Sequence, residues 1–553
     1  MGNIFCFLIM FFVFLSNLLF AQQTNNLEVI WTKASPESVL YFGRCIASGD
    51  VNGDSYSDIM IVGDSVVGQD SGVIYAYRGK CWIFYGGPNF DTILDMQLLN
   101  TQQNILCSLH SSDINGDGFS DVIIGTWANH PDEVLIFLGG NPMDSIPDFR
   151  IRCPRVGDMF GCSVSSGDVN GDGYDDLFVG AYGTYVPPVG DLAGRVYVYF
   201  GGSNFDTIPD VILNGGHCND QEGFGFSVSG SGNVNNDGFS DIIVAANNFG
   251  PGWRGRIYIY FGYNPMDTSY DVAMMGEGAG ESIGEFGVGF IKNQSLCDNA
   301  VIGSPLWGSS SPQGYNPGKV YILFGGNPMD SIPDIWMVGR TAESWLGYKA
   351  YSAGKCNSDF YDEIVAGAPI EYNIKGTAYL WRGGSLLDTI PDAWLRGIAY
   401  DDGIGWNVAS AGDVDGDGRD EIMVSNSASN YSSKRVWVCK YTGVGIEEAR
   451  GRKQEASHLK IYPNPARSVV RVHFPLPVKE IKVYDITGKM IRILEARGKK
   501  QEVGALNQVQ GEIRWDLKDE NQKRISTGIY FVEVTTENNG KIMQEIRKIT
   551  VIK

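Results

Sequence analysis

Histidine is scarce in this chain: five residues in 553 (His110, His130, His217, His458, His473), at no spacing that suits a metal site or a catalytic triad. No Cys-x-x-Cys pair occurs, so a thiolate zinc site lacks support. No Gly-x-Ser-x-Gly elbow, phosphate loop or dinucleotide fingerprint stands out. Positive charge is short as well, with 43 Lys and Arg against 64 Asp and Glu and a net charge of −21. Such a chain is a poor polyanion binder and a good cation binder, which argues against a nucleic-acid partner. After the first 20 residues no apolar run could span a membrane.

What the chain has in plenty is glycine (71 residues) and aromatic residues (12%), a composition of many short strands and turns. The length predicts two or three domains. The charge is uneven: the last hundred residues hold nearly half of the Lys and Arg but under a fifth of the acids, so a basic tail follows an acidic body. Ile4 to Phe20 is almost unbroken apolar sequence and reads, with Ala21, as a signal peptide over 1–21. The alternative is a retained membrane anchor, since no Lys or Arg precedes the run. Nine cysteines remain after the leader; they read as buried thiols, with one or two disulfides as the alternative.

One phrase organises the body. Asp50-Val51-Asn52-Gly53-Asp54 recurs as Asp113-Ile114-Asn115-Gly116-Asp117, Asp168-Val169-Asn170-Gly171-Asp172 and Asp413-Val414-Asp415-Gly416-Asp417. Each copy sets oxygen side chains at its first, third, fifth and ninth positions, the way a short loop wraps Ca²⁺. A weaker copy starts at Asn233, and decayed ones fall near Phe290 and Lys355. A spacing of about 55 to 65 residues signals a propeller or an array. Phe42-Gly43, Phe160-Gly161, Phe224-Gly225 and Phe286-Gly287 precede their copies and confirm the frame, which gives seven units.

In the third unit four strands are expected, near 161–166, 176–180, 195–200 and 211–213. The expected fold is therefore all-β: a seven-bladed β-propeller with Ca-binding loops, over 22–443. Strand parity puts the metal loops and the Asp-Thr-Ile-Pro-Asp turns on one face and the loops between second and third strands on the other. The seventh unit lacks a fourth strand, and Leu27-Glu28-Val29-Ile30-Trp31 is predicted to supply it.

Phe-Gly, the Asp-rich loop and the following Ile-Val-Gly-Ala-like strand together resemble the FG-GAP repeat of integrin α-subunit propellers. The resemblance implies about four structural Ca²⁺ ions, held by Asp50, Asn52, Asp54 and Asp58; by Asp113, Asn115, Asp117 and Asp121; by Asp168, Asn170, Asp172 and Asp176; and by Asp413, Asp415, Asp417 and Glu421. It adds the backbone carbonyls of Tyr56, Phe119, Tyr174 and Arg419. The fourth loop (Asn233, Asn235, Asp237, Asp241) has two charges fewer than the seventh and is left open. In the sixth, the Lys355 ammonium is expected to take the metal's place. An EF-hand or dockerin loop would put its acid at the twelfth position beside a helix, whereas this chain puts it at the ninth beside a strand.

The Asp pairs Asp91/Asp95, Asp144/Asp148, Asp206/Asp210, Asp330/Asp334 and Asp388/Asp392 recur too often for catalysis and read as turn closures. No catalytic residue is assigned. What varies is the set of loops at 64–80, 181–194, 245–255 and 303–318, which carry Tyr182, Tyr185, Trp253, Trp307 and Tyr315, and are the expected binding surface.

A linker at 444–457 leads to a set of alternating strands over 458–553 that reads as a small, Ig-like β-sandwich. Its phrases Tyr462-Pro463-Asn464-Pro465 and Gly528-Ile529-Tyr530-Phe531 resemble the type A C-terminal sorting domain of type IX secretion substrates in Bacteroidetes. That likeness implies export to the medium or the outer cell surface through the type IX machinery. Leu517 departs from the family, where Gly is common, and is expected to have no consequence. The expected function is a non-enzymatic, adhesin-like protein that binds a protein or glycan. A polysaccharide-active enzyme and a ligand-free structural surface protein are the alternatives.

Overall fold

The second strand of each repeat is a continuous apolar run because both of its faces are covered. Asp176–Ala181, Asp241–Ala246 and Glu363–Ala368 are buried along their whole length. In the computed structural model the described residues are 23–443, except 37–38, 71–72, 100–104, 128–131, 154, 188–191, 217–221, 293–296, 310–314, 360, 385–386, 401 and 427–433. Beyond 443 they are 460–462, 470–474, 478–485, 489–494, 511–515, 517–518, 523–526, 528–538 and 541–551. The expected signal peptide and linker lie outside them. The chain divides into two compact units, Met1–Gly445 and Ile446–Lys553.

Among the described residues the first unit holds seven sheets whose main strands are antiparallel; six run in chain order from inner to outer edge, the seventh takes its outer strand from the N-terminus, and Glu343–Leu346 adds a parallel pairing to the fifth. In the third they are Phe160–Gly167, Asp176–Ala181, Arg195–Tyr199 and Val211–Asn214, within a residue or two of expectation. Each inner strand packs on the inner strand of the next blade, and Asn407–Gly412 of the seventh packs on Ile46–Gly49 of the first. The ring is thus closed. Leu27–Ala34 pairs antiparallel with Arg435–Tyr441 as the outer strand of blade 7. Its Trp31 lies between blades, stacked on Phe90 and edge-on to Phe84 of blade 1, with its indole N–H donating to the Asp91 carbonyl.

Three features differ from expectation. Gln23–Asn25 adds a fifth strand to the outer edge of blade 6, against Ala393–Arg396. The stretch at 64–80 is no open loop: Asp58–Asp70 and Val73–Phe84 run on as one long hairpin. In blade 5 the metal-loop segment begins at Lys292, since Ile291 pairs with Asn299 as Gly167 pairs with Asp176 in blade 3. This segment is one residue shorter than its counterparts.

The second unit has two antiparallel sheets. One holds Lys460–Tyr462, Val470–Phe474 and Gly511–Trp515; the other holds Met490–Leu494, Val478–Asp485, Gly528–Asn538 and Lys541–Val551. Leu517 does have a consequence: it is fully buried at φ +54°, a left-handed conformation costing a non-glycine residue about 1–2 kcal/mol. The eight described cysteines are all free thiols. Among the described residues no helix is long and apolar enough to cross a membrane.

Candidate functional site

The two faces of the ring are distinguishable by hydrogen bonds. The first-position carbonyl of a metal loop accepts an N–H from the next blade's loop: Ser120 to Asp50, Ser240 to Asp168, and Ser57 to Asp413 across the closure. The strand end that follows the third strand joins in, with Gly87 donating to Val414 and Gly140 to Val51. The loops and the Asp-Thr-Ile-Pro-Asp turns therefore share one face. Gly53 (φ +76°) lies so close to the Phe119 ring of the next loop that a Cβ would meet it at 2.4 Å, and Gly416 meets Tyr56 in the same way at 2.3 Å. The phrase is as much an inter-blade lock as a metal motif.

Each of the first three loops is wound around its leading carboxylate. Asp168 accepts from Gly171, Asp172 and Gly173 N–H at 2.7, 3.1 and 3.0 Å. Asp50 and Asp113 do the same in blades 1 and 2. The ninth residue anchors the base: Asp176 accepts from Val169 and Gly201 N–H, with Asp58 and Asp121 equivalent. All three are fully buried, and burial, with a smaller contribution from two neighbouring carboxylates, pushes each up to about 7. A buried carboxylate with two others acting on it is donor chemistry suited to a hard dication.

The loops of blades 4 to 6 depart from this pattern. Asp241 in blade 4 is buried and pushed up to about 7, with only Asp237 as a near loop neighbour. In blade 5 the ninth role falls to Asn299, whose side-chain oxygen accepts from Gly325 N–H. In blade 6 the Lys355 side chain is exposed, and the loop centre is closed instead by Asn357 Nδ2 donating to Glu363 Oε1 at 2.6 Å. Blade 7 keeps the wound leading carboxylate, Asp413 accepting from Gly416, Asp417 and Gly418 N–H, and among the described residues it alone brings three carboxylates, Asp413, Asp415 and Glu421, within 4.8 Å of one another; the Lys440 ammonium lies 2.7 Å from Asp415 and 2.6 Å from Asp417.

The turn Asp pairs act on the backbone. The first of each pair accepts the N–H two residues on, as Asp206 does from Ile208; the second accepts from the end of the third strand, as Asp210 does from Phe200 at 2.8 Å. All six turns, including Asp267/Asp271 of blade 4, repeat these bonds.

The opposite face carries an aromatic crescent at the mouth of the axis. In blades 4 to 7 a buried apolar residue and a left-handed glycine stand at or before the start of the inner strand: Phe224-Gly225, Ile283-Gly284, Leu346-Gly347 and Ile404-Gly405, at φ +74° to +95°. An aromatic residue follows, directly in blades 4, 6 and 7 and after Glu285 in blade 5, and Phe226 and Phe286 line the axial cavity. The four are Phe226, Phe286, Tyr348 and Trp406, all half-buried. Phe286 stacks on Tyr348 at 4.5 Å, Tyr348 meets Trp406 edge-on at 4.6 Å, and Trp345 stacks on Tyr348 at 6.3 Å. Tyr182 extends the arc through Phe226 at 4.8 Å. Blade 5 has one residue more here than its neighbours, so its buried residue is Ile283 and the Phe286-Gly287 phrase lies three positions on.

Polar groups complete the mouth. Arg44 pairs with the buried Asp64 at 3.1 Å and stacks on Tyr41. An axial cavity of about 500 Å³ opens below, lined among others by Phe226, Glu285, Phe286, Lys349 and Asn407. Burial pushes the Glu285 carboxyl up to about 7, and its Oε2 has no hydrogen-bond partner, nor have the indole N–H groups of Trp345 and Trp406. Deeper in, His110 is held to Ser166 at 2.8 Å, and burial drives it down to about 4, hence neutral.

Of the loop aromatics, Tyr182 belongs to the crescent and Trp253 stands out at 68% exposed. Tyr185 and Tyr315 are also exposed. Trp307 is used internally, donating to Glu277 and lying under the Lys319 ammonium. The crescent was not read from the sequence because its signal, an apolar-Gly pair, is Phe-Gly in only some blades.

Comparison with known proteins agrees with this architecture. The FG-GAP repeat family matches residues 160–199, 224–260 and 405–439, and the FG-GAP-like repeat matches 113–179. The secretion system C-terminal sorting domain matches 460–549. Integrin alpha-5 of Xenopus laevis is 32% identical over 28% of this chain and 15% of its own length. Integrin alpha-PS2 of Drosophila melanogaster is 33% identical over 29% and 12%, and Integrin alpha-8 of Gallus gallus 28% identical over 38% and 20%. The chain thus spans no more than a fifth of these relatives. PorZ, described as an essential bacterial surface component of the type-IX secretion system of Porphyromonas gingivalis, is 12% identical, with a TM-score of 0.34 over 89% of this chain and 58% of PorZ. That likeness is too slight to carry an argument.

Proposed function

We propose that this chain, a secreted or outer-surface protein that carries FG-GAP repeats on a seven-bladed propeller and ends in a type IX sorting domain, binds an extracellular protein or glycan without transforming it. The observation that carries the reading is the aromatic crescent, four half-buried rings in contact from one blade to the next. Partly exposed flat rings suit stacking, for a sugar ring or a protein side chain alike. Calcium in the first three loops, on the other face, would brace the scaffold and leave the mouth free. The two sheets of the tail support its reading as a β-sandwich that engages the secretion machinery.

An enzymatic reading has one observation in its favour, the Glu285 carboxyl raised toward neutrality at a cavity wall. Glycoside hydrolysis ordinarily needs a pair of carboxyl groups about 5 to 9.5 Å apart across the bond. A glycan array probed with the full chain, followed by assay of new reducing ends on the hits, separates the readings. Binding without new ends is expected; new ends that vanish in Glu285→Gln would replace binding by catalysis, and no binding to any glycan or surface protein would leave a structural role.

A further inference from the structure

The seventh loop differs from the first three in what surrounds it. In blades 1 to 4 the glycine after the third strand (Gly86, Gly139, Gly201, Gly262) donates its N–H to the ninth-position carboxylate. The residue before that glycine donates to the second Asp of the turn phrase. Blade 7 has neither arrangement, because its fourth strand is the N-terminal one and no turn phrase leads into it. Tyr441, at the position of those glycines, is paired with Leu27, and Lys440, one residue before, with Glu28. Glu421 keeps the bond from Val414 N–H, but its Oε1 is buried without a hydrogen-bond partner.

Lys440 faces that gap, at ion-pair range of Glu421 Oε1 without a hydrogen bond to it. At its register position the first five blades carry Tyr85, Leu138, Phe200, Phe261 and Phe324. Blade 6 carries Arg382, which turns away to Asp392 at 2.7 Å. Only in blade 7, among the described residues, does a cation reach into the loop. Its ammonium lies 2.7 Å from Asp415, 2.6 Å from Asp417 and 3.9 Å from Glu421, three of the four side chains that resemblance would give to calcium.

We propose that Lys440 is the resident cation of the seventh loop, so that this loop folds on an ammonium where the first three are suited to a divalent ion. An ammonium close on Asp415 and Asp417 and within ion-pair range of Glu421 offsets the loop's negative charge as a small cation does, and the charge arrives covalently with the strand. A dication at the same centre would meet the ammonium at repulsive range and gain only what remained after displacing it. The closing blade, which depends on pairing between the two ends of the propeller, then needs no metal. This rests on the reading that the first three loops bind calcium, and the test below separates the two claims.

The experiment counts bound Ca²⁺ by equilibrium dialysis on the full chain after chelator treatment. Asp168→Asn is expected to bind one ion fewer than the wild type, and Asp413→Asn the same number. Lys440→Met is expected to bind one ion more, and Lys440→Met with Asp413→Asn to lose that gain. Loss of an ion in Asp413→Asn alone, or no gain in a folded Lys440→Met, overturns the proposal. If Lys440→Met does not fold, Asp413→Asn decides by itself. If the wild type binds no calcium, the first three loops have been misread, and gain or no gain in Lys440→Met still decides the seventh.

Discussion

Removing the Trp31 side chain tests how the ring is closed. Trp31 is 4% exposed on the N-terminal strand of blade 7, yet its ring partners Phe84 and Phe90, and the carbonyl of Asp91, belong to blade 1. Around it the core shared by the two blades includes Phe42, Ile59, Met423 and Val438. Truncating a buried Trp to Ala costs about 3–5 kcal/mol, and the rigid strand pairing on both sides leaves little room for collapse. The unfolding entropy is about 2.1 cal/mol/K per residue, so a unit of roughly 420 residues loses ~4–5 °C of melting temperature for about 4 kcal/mol. Trp31→Phe keeps the stacking and loses mainly the indole hydrogen bond, worth about 1 kcal/mol. Trp253→Ala, 68% exposed, is the control, with an expected cost below about 0.5 kcal/mol. Scanning calorimetry on the four proteins reads the order directly. A Trp31→Ala melt that coincides with that of Trp253→Ala would refute closure by the N-terminal strand.

Chelation should lower the melting temperature, because an ion that binds only the folded state stabilises it by about 2.7 kcal/mol at a hundredfold excess over Kd, or ~3 °C per occupied loop; an unchanged melt in EDTA would remove calcium from the account. Ser55 stands at φ +72° where the other loops have Gly118, Gly173, Gly238 and Gly418, so Ser55→Gly should raise unfolding free energy by about 0.5–1 kcal/mol in denaturant titrations. Glu285 holds its proton in the folded state up to about pH 7, against an ordinary value of 4.5. Between those values the folded protein binds more protons than the unfolded chain, so this group's contribution to stability falls as pH rises. Glu285→Gln should therefore gain on the wild type between pH 5 and 8, by up to about 3 kcal/mol. A pH-independent difference would mean that Glu285 is better solvated than the cavity wall suggests.

The architecture was legible because the same chemistry recurs at fixed positions. A loop wound on its first carboxylate needs Asp at 50, 113, 168 and 413, and the inter-blade lock needs a glycine under the next loop's ring, so neither drifts far. The N-terminal strand could be placed because blade 7 visibly lacks a partner for Arg435–Tyr441. The crescent was not legible, because what fixes it is a buried apolar side chain before a left-handed glycine. Ile283, Leu346 and Ile404 fill that position as well as Phe does, and the motif dissolves. The added residue at Phe286 then shifts a genuine Phe-Gly phrase out of frame. Lys440 was invisible for a different reason: its relation to Asp415 and Asp417 is a strand register, not a spacing. Lys355, which does lie in the motif, points to solvent.

Recognition is proposed at the aromatic mouth and not at the face of the Asp-rich loops or on the outer loops. It is tested most directly by measuring, for one array hit, the affinity of the wild type, of Tyr348→Ala with Trp406→Ala, and of Trp253→Ala, by titration calorimetry at constant calcium. Removing stacked aromatic anchors should cost about 2 kcal/mol or more, a loss of some thirtyfold, with Trp253→Ala within twofold of the wild type. A double variant that folds and binds as the wild type does, with loss in Trp253→Ala instead, would place the ligand on the variable loops and contradict the account.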